Sequence, residues 1–163
     1  MFLVNEVEHT ECNTVIKENI AEHISEVKAV VDDGGCFFLN ITGKSMLPFL
    51  RDYSDTAVLV KKEEIQKYDV AFYVRECGGV VLHRVVGIHG DSCDFCGDNQ
   101  VDVEKAIPRR NVIAVMSSFR RNGKIHSCES FAYKINSVLW VKTRIIRKFY
   151  RNLKIKIKHL VKR

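Results

Sequence analysis

The stretch Ile41-Thr42-Gly43-Lys44-Ser45-Met46-Leu47-Pro48-Phe49-Leu50 decides how this chain is read. The apolar run Cys36-Phe37-Phe38-Leu39 leads into it with the aromatic and aliphatic content of a strand. Gly43 permits a turn or a close backbone approach, and Pro48 forbids an immediate long helix. Ser45 therefore falls where a strand breaks, a place that presents a hydroxyl instead of packing it. A serine becomes a nucleophile only beside a base. Downstream, Val80-Val81-Leu82-His83-Arg84-Val85-Val86 reads as a buried strand carrying one imidazole, and Cys96-Gly97-Asp98-Asn99-Gln100 sets a carboxylate at a turn.

Working outward, the strands multiply. Thr56–Val60 and Asp69–Arg75 follow the Ser45 turn, and Glu76-Cys77-Gly78-Gly79 makes a hairpin into the His83 strand. Gly90-Asp91 turns into Ser92–Cys96, while Asn111–Arg120 and Lys124–Cys128 flank the hairpin signal Asn122-Gly123. Short strands joined by glycine turns predict a mainly-β fold, a coiled sheet or barrel. On the N-terminal side, Asn13 caps a predicted helix through Ile16, Ile20, Ile24, Val27 and Val31, which Asp32-Asp33-Gly34-Gly35 stops. That helix reads as a packing element over one end of the sheet.

The chain has 163 residues, enough for one domain with a single core. It shows no run of about 18 apolar residues and no secretory leader. Six cysteines in a chain of this length fit a reducing compartment better than a disulfide framework. Together these features point to a cytoplasmic protein, with a membrane-surface location as the variant its charge suggests. The net charge of +6 is the sum of two unlike parts: residues 1–130 carry −5, and residues 131–163 carry eleven Lys or Arg and no Asp or Glu. The compositional boundary lies near Ser130, dividing a 1–130 domain from a 131–163 tail.

Ser-Met-x-Pro, then a strand with His-Arg, then Gly-Asp-Asn, resembles the type I signal peptidases and the SOS-repressor autopeptidases of the same superfamily. The likeness covers residues 35–116 and is greater to the branch in which histidine replaces the catalytic lysine. It implies a serine endopeptidase acting on the leader or signal segment of a precursor, with small residues before the cleaved bond. Carried onto this chain, Ser45 is the nucleophile, His83 the base and Asp98 the group that orients His83. Asp91, Asp94 and Asp102 compete for that last role. Arg84 is expected to brace the site against a carboxylate. The backbone N–H groups of Ser45 and Lys44 are the expected oxyanion hole, because Gly43 stands where many signal peptidases have a serine. Gly43, Met46 and Pro48 shape the cleft.

Apolar neighbours keep His83 neutral, so activity is expected to switch on at or below about pH 6.5. Lys44 is a poor base for Ser45, since adjacent side chains of an extended chain point opposite ways. Cys93-x-x-Cys96 lacks four ligands at clear spacing and reads as two thiols, so neither metal nor organic cofactor is implied. Two other functions fit the same pattern: a self-cleaving regulator, and a catalytically silent peptide-binding module.

The tail places Ile135, Leu139, Ile145, Ile146 and Phe149 along a helical stripe with cations beside it. Its composition suits an anionic membrane surface, with Trp140, Arg144, Arg147, Lys148, Phe149 and Arg151 as the contacting residues. No nucleic-acid motif is present, and oligomeric state is not legible.

Overall fold

The computed structural model describes residues 24–147 and 149. Its strands are β1 (Cys36–Asn40), β2 (Asp55–Val60), β3 (Val70–Val74), β4 (Val80–His89), β5 (Ser92–Cys96), β6 (Glu104–Pro108), β7 (Val112–Arg121) and β8 (Lys124–Ser127). All eight join in one antiparallel sheet of order β1-β2-β7-β3-β4-β5-β6, with β8 paired to β7. Among the described residues β1 pairs only with β2 and β6 only with β5, so the sheet is open and not the barrel that the sequence also allowed. Register shifts at Val58/Leu59, Phe72/Tyr73, Val85/Gly87 and Cys93/Phe95 mark bulges, which bend and twist the strands that carry them.

Both faces of the sheet are covered. Along β3, Val70 and Phe72 enter one core with Leu39, Met46 and Leu59, while Ala71 and Tyr73 enter a second with Val85 and Phe95. This alternation is the strand period of two, with apolar residues on both sides. Helix α1 (Ile24–Asp32) lays Val27 and Val31 into the first core, as a packing helix should. The Gly35 N–H closes its end on Val30 O at 3.0 Å. The cap at Asn13 and the turns before Ile24 lie outside the described residues. Asn122 and Gly123 both adopt positive φ, 49° and 75°, and reverse the chain between β7 and β8.

Ser130 caps the C-terminal helix α2 (Phe131–Lys142), its hydroxyl accepting from the Tyr133 N–H. This helix is docked on the sheet domain through Tyr133, Ser137 and Trp140. The tail's first turns therefore belong to the domain's fabric. No helix among the described residues is long and apolar enough to cross a membrane.

Candidate active site

Two loops build the site by holding each other. Gly43 has φ 89°, and its N–H donates to Asp52 Oδ1 at 2.8 Å, pinning the start of the Ser45 turn. Met46 and Leu50 sink into the core at 3% and 0% exposure, anchoring the far side. Against this turn lies Gly97-Asp98-Asn99. The Asn99 N–H donates to Ser45 O at 2.8 Å, and its side-chain amide donates to Lys44 O at 3.1 Å. A Cβ on Gly97 would stand 2.8 Å from Ser45 O, so only glycine allows this approach. With their carbonyls engaged, Lys44 and Ser45 keep backbone N–H groups that have no acceptor among the described residues. Those are the donors an oxyanion needs.

His83 lies on β4 at 1% exposure. Its Nδ1 is 3.3 Å from Glu104 Oε1 and 3.4 Å from the Tyr73 hydroxyl. Burial, only partly opposed by the Glu104 charge, lowers its pKa to about 4. The imidazole is thus neutral at physiological pH, and with Nδ1 facing Glu104 and Tyr73, Nε2 is the nitrogen left to accept a proton. Glu104 is itself fixed by Arg75, whose Nε and Nη2 reach its two oxygens at 2.7 Å and 2.5 Å. That guanidinium holds the Glu104 carboxyl below its usual range, so it stays ionised.

Asp98 does not face His83. It takes Arg84 in a fork, Nε to Oδ1 at 2.8 Å and Nη2 to Oδ2 at 2.7 Å. The reason is the strand period: His83 and Arg84 are neighbours on β4 and project to opposite faces. The turn carboxylate meets the arginine face, and Glu104 of β6 meets the histidine face. Arg84 is fully buried and also donates to Tyr68 O, Tyr133 Oη and Ser137 Oγ, with the Phe49 ring 4.6 Å away. Burial alone would disfavour its charge, but Asp98 outweighs this and raises its pKa. The bracing role expected of Arg84 is therefore filled, with Asp98 as the carboxylate. Among the competitors, Asp94 faces His89 and the Ala106 N–H, not His83.

Ser45 and His83 line one open groove of about 340 Å³, with Gly43, Met46 and Arg75 in its wall. No hydrogen bond joins the Ser45 hydroxyl to His83 among the described residues, a looseness common in sites without substrate. Pro48 lines a different cleft, of about 650 Å³, between α2 and the β7–β8 hairpin. Pro48 is thus not among the residues that line the Ser45 groove, and the Leu47–Pro48 bond is cis. Cys93 and Cys96 are buried free thiols, and Cys96 donates to Asp102 O at 3.3 Å.

The tail residues divide. Trp140 points inward and donates its indole N–H to Asp98 O at 2.8 Å. Arg147 stacks 3.7 Å over the Trp140 ring and donates to Trp140 O. Of these two expected membrane contacts, Trp140 is engaged by the sheet domain and Arg147 by Trp140 and Thr143 of its own helical run. Arg144 Nη1 is buried without a partner among the described residues, whereas Phe149 is exposed. Lys148 and Arg151 lie outside the described residues.

Sequence reasoning missed Glu104, Arg75 and Asn99. Asn99 sat inside the quoted turn and could have been found there. Glu104 could not, since its strand gives no alternating pattern. No protein-family model matches the chain, and no curated protein matches it.

Proposed function

We propose that the protein is a serine endopeptidase of the signal-peptidase kind, with Ser45 as nucleophile and His83 as base, acting on an extended segment of a precursor. The observation that carries this reading is the meeting of Ser45 and a neutral, buried His83 in one groove, beside two unengaged backbone N–H groups. Ser45 Oγ attacks the peptide carbonyl carbon while His83 Nε2 takes its proton. The Ser45 and Lys44 N–H groups hold the oxyanion. Collapse breaks the C–N bond, and His83 returns the proton to the leaving amine. Water, deprotonated by His83, then hydrolyses the acyl-enzyme and restores Ser45. Glu104, not Asp98, accepts the Nδ1 proton bond that fixes the tautomer.

The reading follows the order of serine, histidine and Gly-Asp-Asn along the chain, which resembles the branch of the signal peptidases in which histidine replaces the catalytic lysine. The absence of a Ser45–His83 hydrogen bond favours a second reading, a silent peptide-binding module. Hydrolysis of a peptide library rich in small residues separates the two. Cleavage by the wild type that Ser45→Ala and His83→Ala both abolish supports the peptidase. Binding without cleavage supports the module.

A further inference from the structure

Helix α2 is turned inside out relative to an ordinary surface helix. Its inward side is polar or amphipathic: the Tyr133 and Ser137 hydroxyls accept from Arg84, and the Trp140 indole donates to Asp98 O. Its outward side is aliphatic and aromatic. Phe131, Ile135 and Leu139 are exposed, Phe131 at 79% and Leu139 at 55%. Helical hydrogen bonds run on through Thr143 and Arg147, and the same side continues with Ile146 at 68% and Phe149 at 71%. At 3.6 residues per turn these outward positions, with Lys142, fall within about 80° of arc, opposite the docked side. Packing within the described domain leaves this stripe uncovered, and a contiguous apolar stripe of this kind marks an interaction surface.

Charge decides among occupants. From residue 131 onward the chain has eleven Lys or Arg and no acidic residue. A second copy would bring two such segments together, like against like. An anionic bilayer offers both an apolar interior for the stripe and negative headgroups for the cations. We infer that the outward face of α2 and its continuation docks in the plane of an anionic lipid surface, while the inward face of the same helix holds Arg84 and Asp98 in place. The membrane contacts are thus Leu139, Lys142, Ile146 and Phe149, and not Trp140 or Arg147. This inference does not depend on the peptidase reading.

Co-sedimentation of the full chain with vesicles tests it, using phosphatidylglycerol–phosphatidylcholine mixtures against phosphatidylcholine alone. Binding is expected on the anionic vesicles, weaker by about fivefold for each cation whose attraction is lost on neutral ones. It is also expected to fall as salt rises from 0.1 to 0.5 M. Leu139→Asp replaces an exposed aliphatic side chain of the lipid-facing stripe by a charge and is expected to weaken binding by about tenfold or more. Lys142→Glu, a two-charge change on an exposed side chain, is expected to do the same while leaving packing untouched. Ser45→Ala is expected to bind as wild type does. Equal binding to both vesicle types, or none to either, overturns the inference. So does unchanged binding by Lys142→Glu, or a solution dimer that Leu139→Asp converts to monomer. Lost peptide cleavage with intact vesicle binding would condemn the peptidase reading alone.

Discussion

Replacing Asp98 by alanine strips the only carboxylate paired to Arg84 among the described residues, and the size of the effect follows from where that arginine sits. Arg84 has 0% side-chain exposure and Asp98 has 2%. Breaking such a pair by deleting one partner leaves a buried charge uncompensated, at a cost of about 3–5 kcal/mol. The remaining partners, Tyr68 O, Tyr133 and Ser137, are neutral acceptors and do not replace a carboxylate. For a domain of this length each kcal/mol lowers Tm by about 2–4 °C, so Asp98→Ala is expected to melt about 6–20 °C below wild type. Asp98→Asn keeps one acceptor and is expected to lose less. Thermal melts by circular dichroism at pH 7 give the stabilities. Labelling by a serine-directed phosphonate, well below each Tm, gives the chemistry. Asp98→Asn is expected to label Ser45 within about tenfold of wild type, because Asp98 does not touch His83. A residue orienting the base would cost about 10⁴-fold with the fold intact. Asp98→Ala melting with wild type, or Asp98→Asn folding normally but losing about 10⁴ in rate, would refute the structural role.

Other expectations follow from the same contacts. Glu104→Gln should lower kcat/KM by about 10²–10⁴-fold with Tm within a few degrees, since its pairing with Arg75 is partly exposed; a loss under tenfold would remove Glu104 from the site. The pH profile of kcat/KM should rise through about pH 4 as His83 loses its proton and stay flat from about 5 to 8; a limb near 8 would indicate another base. The same depressed pKa has a stability consequence: below about 6.5 the unfolded imidazole binds a proton that the folded one refuses. Stability present above that pH should therefore be lost toward pH 4, by about 3 kcal/mol, and His83→Asn should lose less over that range in denaturant titrations. Gly97→Ala puts a methyl 2.8 Å from Ser45 O, so it should cost about 1–3 kcal/mol by denaturant titration and slow Ser45 labelling. Ending the chain at Ser130 removes Tyr133, Ser137 and Trp140 and should destroy Ser45 reactivity in phosphonate labelling, although the compositional boundary falls at that point.

What the sequence made legible was what short-range chemistry controls. The strands around Ser45 and His83, the Asn122-Gly123 turn and the helix start at Ser130 each carry a local signal, and each lies where that signal puts it. β6 carries none: Glu-Lys-Ala-Ile-Pro has charge, no alternation and a proline, and it pairs with the edge of β5. Glu104 carries no signal for the same reason, and the resemblance points instead to Asp98 of the Gly-Asp-Asn turn as the carboxylate at His83. Asp98 was visible as important, but its partner depends on which face of β4 it meets, and that is settled by strand pairing far along the chain. The helix α2 misled in a similar way. Trp140 and Arg147 have the composition of a membrane face, yet a buried arginine on β4 and the carbonyl of Asp98 claim that side of the helix.

The central claim is that Ser45 is a nucleophile activated by His83, and the most direct measurement is mass spectrometry of the protein after reaction with a fluorophosphonate. One adduct is expected, on the peptide containing Ser45, absent from Ser45→Ala and slowed by at least about 10²-fold in His83→Ala. No adduct on the folded wild type, an adduct on another serine, or equal labelling of wild type and His83→Ala would contradict the account.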